Sequence, residues 1–271
     1  MLALNNPIIE AYSRSAAKYD ESSNLQSCWG RATDEVLRSL RLKDEHKIVL
    51  DVGCGTGGAL LRLASESKAG VQFIGAEPAD GMRERAIEQA KNHPNVRILD
   101  GRFEKIPLAQ SSVDYLYSTF AFHWTTDLDA SVAEMARVLK PNGEMDLFFV
   151  GRNNAREFIQ RTTPVFLKYM GASSLLNSAS LRKQLTKEAT LGFFARRFNR
   201  DRLSVEESYH TYYDTLDGHW GWWVRTEGHF FQIPENCREQ CNSEVRGAIE
   251  SLTEERGIPY TIHELHLILR K

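Results

Sequence analysis

One string, Val49-Leu50-Asp51-Val52-Gly53-Cys54-Gly55-Thr56-Gly57-Gly58, limits what this chain can fold into more than any other stretch. Ile48-Val49-Leu50 is a β-branched apolar run of the kind that forms a buried strand, and Ala59 to Ala64 opens an amphipathic helix. Between them Gly53, Gly55, Gly57 and Gly58 make a tight turn. Glycine is needed where the backbone takes positive φ or where a ligand must approach with no Cβ in the way. The N-terminus of the helix beyond offers free N–H groups. Strand, glycine turn and helix together predict a cofactor-binding loop.

Gly53, Gly55 and Gly58 satisfy G-x-G-x-x-G, so a dinucleotide is one expected ligand. Three features favour another. Asp51 stands two residues before the first glycine, where a carboxylate would repel a pyrophosphate but could meet a cationic amino group. Gly57 adds a glycine where the dinucleotide pattern asks for none. Phe73-Ile74-Gly75-Ala76-Glu77 reads as a second strand ending in an acid, at about the distance where a carboxylate holds ribose hydroxyls. An anionic first turn with a ribose acid suits a sulfonium amino-acid nucleoside. On these residues the sequence resembles the class I S-adenosylmethionine (SAM)-dependent methyltransferases, whose first motif has the form D-x-G-x-G-x-G.

The rest of the chain fits an ordinary globular protein. Its 271 residues are 42% hydrophobic, enough for a sizeable core. A net charge of -2 with no long Lys/Arg block gives no nucleic-acid footprint. No run of about 18 apolar residues suits a membrane span, and MLALNNPIIE lacks a signal-peptide layout, so a cytoplasmic location is expected. Cys28, Cys54, Cys237 and Cys241 complete neither a zinc set nor a disulfide framework, and Cys54 reads as a small residue in the turn. No carboxylate pair beside a histidine offers a divalent site, so metal independence is expected.

Further motifs follow in the order the resemblance requires. Ile8, Ile9, Tyr12, Ala16 and Tyr19 sit at helical spacing. Ala16-Ala17-Lys18-Tyr19-Asp20 is similar to an A-x-x-Y-D segment that folds over the cofactor, which implies that Tyr19 touches its methionine end; plain packing is the other reading. A second amphipathic helix spans 28 to 42. Asp80 is an expected N-cap for a helix to about Lys91, and Met82 is a candidate to pack on adenine. Val96 to Leu99 is the third strand. Asp100-Gly101-Arg102-Phe103-Glu104-Lys105-Ile106-Pro107 resembles the family's adenine segment, with Arg102 where a small or acidic residue is common and Phe103 beside it.

Ser112 to Ser118 is the fourth strand, with Ser118 at its carboxyl end joining the cofactor set. Thr119-Phe120-Ala121-Phe122-His123-Trp124 leaves that end, where open parallel sheets place ligands. It is not the Asn/Asp-Pro-Pro-aromatic string of base N-methylation. His123, a residue type whose pKa can lie near neutrality, is the candidate general base, against a role in orienting substrate or lid. Trp124 is expected to line the substrate pocket. Asp129 to Leu139 is a helix, and Leu139-Lys140-Pro141-Asn142-Gly143-Glu144 is close to the family's L-K-P-G-G turn before a fifth strand at Met145 to Val150.

Past Val150, residues 151 to 191 read as helical, Phe193 to Val205 as a sixth strand, Glu235 to Glu255 as a helix and Ile258 to Lys271 as an alternating closing strand. Residues 206 to 232 are rich in aromatics, and Tyr212, Trp220 and Trp223 are candidates for an apolar substrate wall. The resemblance implies an α/β fold, a doubly wound, mostly parallel seven-stranded sheet with an antiparallel last strand and a helical cap. The expected parts are 1–150 (N-terminal helices and SAM-binding core), 151–232 (substrate-selecting cap and sixth strand) and 233–271 (last helix and strand). It also implies methyl transfer from SAM to a small, partly apolar metabolite, as in biotin-synthesis, trans-aconitate and secondary-metabolite methyltransferases. The implied cofactor set is Tyr19, Asp51, Gly53, Gly55, Glu77, Met82, Arg102, Phe103 and Ser118. Three alternatives stay open: a SAM-binding enzyme of other chemistry, a non-catalytic module of this fold, and a nicotinamide dehydrogenase.

Overall fold

Alternation within the strands decides which layer each side chain joins. In β1 (Ile48–Val52), Leu50 and Val52 enter one apolar layer while Val49 enters the opposite one. In β4 (Val113–Thr119), Leu116 joins the first and Tyr115 and Tyr117 the second. Being buried on both sides, such strands read as continuous apolar runs. The computed structural model describes residues 6–21, 25–222 and 233–271. It arranges β1, β2 (Gln72–Ala76), β3 (Val96–Leu99), β4, β5 (Leu139–Val150), β6 (Leu203–Asp214) and β7 (Ile258–Arg270) in one seven-stranded sheet, order β3-β2-β1-β4-β5-β7-β6. The first five are mutually parallel; β7 lies antiparallel between β5 and β6.

Helices cover both faces. α1 (Pro7–Tyr19) and α2 (Cys28–Ser39) precede the sheet, α3 (Gly58–Glu66) follows β1, α4 (Asp80–Ala90) follows β2, and α5 (Leu128–Val138) follows β4. Beyond β5 come α6 (Arg156–Ser180), broken at Gly171 with φ 73, then α7 (Lys187–Phe194), α8 (Leu216–Trp222) and α9 (Arg238–Glu250). β7 serves two layers. Its even residues Ile258, Tyr260 and Ile262 pack with Phe158 and Phe166 of α6 and Val245 and Ile249 of α9. Its odd residues Leu265, Leu267 and Leu269 pack with Val132 and Met135 of α5 and Phe194 of α7. Among the described residues no helix is long and apolar enough to cross a membrane.

Several local expectations are corrected. Of Phe193 to Val205 only Leu203 to Val205 is strand: Thr186 caps α7 by accepting from Ala189 N, and Phe194 and Phe198 turn into the core on helical spacing. The sixth strand begins at Leu203 and runs through the polar stretch to Asp214, an edge strand with one wet face. Asp80 is the first helical residue of α4 rather than its cap, and its carboxylate pairs with Arg83. Asp127 caps α5, accepting from Ala130 N. The helix expected over 235 to 255 is a 3-10 turn followed by α9.

The sheet order reverses between β1 and β4, so the connections leaving their carboxyl ends run to opposite sides and open a crevice. The glycine loop after β1 and Phe120-Ala121 after β4 face each other across it.

Candidate functional site

The crevice holds an open cavity of about 830 Å³. Its floor is the glycine loop, and each conformation there has a local cause. Gly53 takes φ 80 and donates its N–H to Ala76 O at 2.8 Å, pinning the loop to the end of β2. A Cβ at Gly53 would stand 2.4 Å from the Ala121 methyl, so the residue is glycine for space as well as for φ. Gly55 takes φ 57, and a Cβ there would meet nothing within 4 Å: it would project into open space. Phe120, at φ 51, is a non-glycine residue in the left-handed region on the facing wall. Its N–H is held by Phe148 O at 2.7 Å and its ring by Trp29, an edge contact at 5.4 Å.

Two acids lie beneath the loop in different states. Glu77 follows β2; one carboxylate oxygen accepts Gly55 N and the other Ala79 N, each at 2.9 Å. Burial raises its pKa, and those two N–H bonds and Arg83 oppose the rise. Each oxygen keeps a free lone pair, and the residue lines the cavity. Asp51 is 1% exposed, and neither of its oxygens accepts a well-formed hydrogen bond from the protein. Desolvation raises its pKa to about 7, Glu77 adds to the rise, and the nearby Tyr117 hydroxyl offsets part of it. Asp146 on β5 is the informative contrast. It is buried as deeply, but it accepts Arg41 Nε at 3.0 Å, His266 Nε2 at 2.7 Å and the Tyr115 hydroxyl, and its pKa lies below the usual carboxylate value. Native proteins pair buried carboxylates as Asp146 is paired. Asp51 thus has no cationic partner among the described residues, only the neighbouring Tyr117 hydroxyl.

The walls come from four elements. Ala79 and Met82 at the start of α4, with Arg102 and Phe103 after β3, line the side next to Glu77. Ile8, Ile9, Tyr12 and Tyr19 of α1 cover the cavity, and Trp124 closes its far side with an edge contact to Tyr12 at 6.3 Å. Tyr19 is pushed up to about 12 by desolvation, with Glu77 and Asp20 adding to the rise, so it stays a neutral donor. Glu104 accepts the Thr125 hydroxyl at 2.7 Å and the Thr126 N–H at 2.5 Å, which fixes the rim loop after Trp124.

Of the residues read from the sequence, Tyr19, Gly53, Gly55, Glu77, Met82, Arg102, Phe103 and Trp124 meet around this one cavity, with Asp51 under its floor. The others do not. His123 is 3% exposed and absent from the lining, because the 3-10 turn Phe122–Trp124 turns Trp124 toward the cavity and His123 away. Desolvation, with Arg182 adding, holds its imidazole well below the usual range, so it is neutral at pH 7. Ser118 is fully buried and donates to Val52 O at 2.7 Å, a bond between strands rather than to a ligand. Tyr212 donates to Glu35 at 2.7 Å, and Trp220 packs with it in the layer under α6 and α9, so neither lines the cavity. Trp223 lies outside the described residues. Sequence reasoning held Phe120 and Glu104 only as parts of their segments, and missed Thr125 and Thr126 on the rim and Ile8, Ile9 and Tyr12 as wall rather than packing. The signal for α1 was its aromatic edge.

An adenosyl amino acid fits what is present: a cradle left open at Gly55, a buried Asp51 carboxylate with no cationic partner among the described residues, ribose-acceptor lone pairs on Glu77, and apolar walls at Met82 and Phe103.

Comparisons with known proteins agree with this geometry. Residues 50–146 match a family described as a methyltransferase domain. A malonyl-[acyl-carrier protein] O-methyltransferase of Yersinia pestis is 36% identical over 140 residues, 50% of this chain and 47% of that protein. A biotin biosynthesis bifunctional protein of Cellvibrio japonicus is 32% identical over 145 residues, 53% of this chain and 27% of that one. The chain thus spans about half the length of the first relative and about a quarter of the second. Among solved structures, the YcgJ protein of Bacillus subtilis superposes with a TM-score of 0.57 at 19% identity, covering 89% of this chain and 97% of its own. Geranyl diphosphate C-methyltransferase of Streptomyces coelicolor, solved with S-adenosyl-L-homocysteine, gives 0.53 at 14%, covering 89% and 78%. At those identities the structures speak for the fold.

Proposed function

We propose that this chain, whose core is a class I SAM-dependent methyltransferase domain at residues 50–146, moves a methyl group from SAM to a small, partly apolar acceptor. The observation that carries the reading is the Asp51 carboxylate, buried with no cationic partner among the described residues beneath a loop whose Gly55 leaves room for a ligand. SAM supplies, when bound, a sulfonium methyl open to direct displacement by a nucleophile. The chain's own residues bind, orient and exclude water. Asp51 offers the charge complement to an amino-acid ammonium, and Glu77 offers acceptors to hydroxyls while holding the Gly55 and Ala79 N–H groups. Met82 and Phe103 provide apolar faces for a purine, and α1 covers part of the open cavity, so alignment supplies most of the rate enhancement. Phe120, Trp124, Tyr12 and Ile8 form the apolar wall left for the acceptor. The segment after Val150 stands, in this reading, behind that wall as support for acceptor choice.

The printed names of relatives such as the Yersinia protein make an acyl-borne oxygen the first acceptor class to try. The test is transfer of labelled methyl from SAM to free and carrier-borne carboxylic acids, alongside amines and phenols of similar size. Label in an ester supports an oxygen acceptor; label in an amine only, or in none of the three classes, contradicts it.

No protein base is needed in this account. His123→Leu is expected to keep kcat within about threefold, with an unchanged pH profile between 6 and 8, because the imidazole is neutral and off the cavity. A loss of two orders of magnitude with a shifted acidic limb would restore His123 as the base.

A further inference from the structure

Asp20 ends α1 as its C-cap, and its side chain is 25% exposed. One carboxylate oxygen accepts the Thr56 hydroxyl at 2.6 Å; the other accepts Arg85 Nε at 2.6 Å and Gln89 Nε2 at 2.8 Å. These partners sit on two different elements. Thr56 lies in the glycine loop, between Gly55 at φ 57 and Gly57 at φ 86, and Arg85 and Gln89 lie on α4. The loop's other side is held by Glu77 through Gly55 N. A second anchor joins α1 to α4: Gly81 N donates to Ser13 Oγ at 2.8 Å, and a Cβ at Gly81 would stand 2.3 Å from Ser13 O. The helix that covers the cavity is thus tied to the loop that floors it through one charged group. Charge-assisted bonds of this kind are about twice as strong as neutral ones.

We propose that Asp20 is a positioning residue that couples closure of α1 over the cavity to the conformation of the glycine loop, so that covering the ligand and shaping its floor are one event. While the carboxylate is in place, Thr56 and with it Gly55 are held in the ligand-ready conformation, and Tyr19, its chain neighbour, is held against the cavity. When α1 lifts, Thr56 loses its acceptor and the loop relaxes. The coupling is independent of which ligand occupies the cavity; only the affinity arm below rests on the SAM reading.

The test is amide hydrogen exchange on the ligand-free full chain, with Asp20→Ala and the near-isosteric Thr56→Val, followed by calorimetric titration with S-adenosylhomocysteine. Both variants are expected to speed exchange about tenfold in residues 8–19 and in residues 54–58 together, with β5 and β7 unchanged. Ligand affinity should fall about tenfold in each, and the double variant should lose less than the product of the two. Faster exchange in residues 8–19 alone, or additive losses in the double variant, would overturn the coupling. If Asp20→Ala opens the whole sheet, Thr56→Val decides by the same two segments. A wild-type chain that fails to bind the ligand would sink the SAM reading, while the ligand-free exchange would still decide the coupling.

Discussion

Asp51→Asn is expected to give a protein more stable than the wild type above pH 7 and unable to hold an adenosyl amino acid tightly. The folded carboxyl has its pKa raised from 3.8 to about 7, chiefly by desolvation. An acid whose pKa rises on folding binds more protons folded than unfolded between those two values. Stability therefore falls as pH climbs from about 4 to about 7 and is level above that. At roughly 1.4 kcal/mol per unit the penalty reaches a few kcal/mol at neutral pH, and asparagine does not carry it. Thermal melts of the two ligand-free proteins between pH 4.5 and 8.5 should show a gap that opens in favour of the variant up to pH 7 and then stays constant. A gap independent of pH would mean that Asp51 is already satisfied. The same substitution removes the charge that an ammonium would meet, so affinity for S-adenosylhomocysteine should drop by about two orders of magnitude near neutral pH. The wild type, which gives up a proton when a cation arrives beside Asp51, should show a binding enthalpy that depends on the buffer's ionisation enthalpy. This trade of stability for binding is the general pattern for a group held ready for a ligand.

Glu77→Gln is the complementary case, because here the group is already engaged. Both oxygens take backbone N–H groups at 2.9 Å, from Gly55 and Ala79. An amide has one acceptor oxygen, so one of those donors would face an NH₂ group instead. The loop would lose its hold at Gly55 or the first turn of α4 would lose it at Ala79, at about 1–3 kcal/mol for the unsatisfied donor. Burial raises the Glu77 pKa as well, so the amide also relieves a penalty at neutral pH. The lost anchor opposes that relief, and this variant should melt below Asp51→Asn at pH 7.5 and also lose about two orders of magnitude in adenosyl affinity. Melting and titration done side by side separate the two substitutions by the size of the stability change. An affinity within threefold of the wild type would remove Glu77 from the site.

What the sequence made legible was local. The β1 strand, the glycine loop, α3 and the acid after β2 each announce themselves within a few residues, because a strand's apolar run and a positive φ are short-range demands. Side-chain direction in irregular segments was not legible. His123 and Trp124 are neighbours, and only the 3-10 turn decides which of them meets the cavity. The aromatic stretch after Val205 misled for a related reason. Among its described residues, Tyr212 on the edge strand and Trp220 on a short helix serve a second apolar layer under α6 and α9, while Tyr209 is exposed. The sixth strand was misplaced because Phe193 and Phe194 look as apolar in a helix as in a strand, while the true strand carries Glu206, Glu207 and Ser208 on an edge. The role of Asp20 depends on three partners spread from Thr56 to Gln89, a long-range meeting that no spacing encodes.

Calorimetric titration of the wild-type chain at pH 7.5 with S-adenosylhomocysteine and, separately, with NAD decides which nucleoside the glycine loop holds. One site per chain is expected for the adenosyl ligand, with affinity lost in both Asp51→Asn and Glu77→Gln, and no heat from NAD. Binding of NAD with none of S-adenosylhomocysteine would contradict it and return the glycine loop to the dinucleotides.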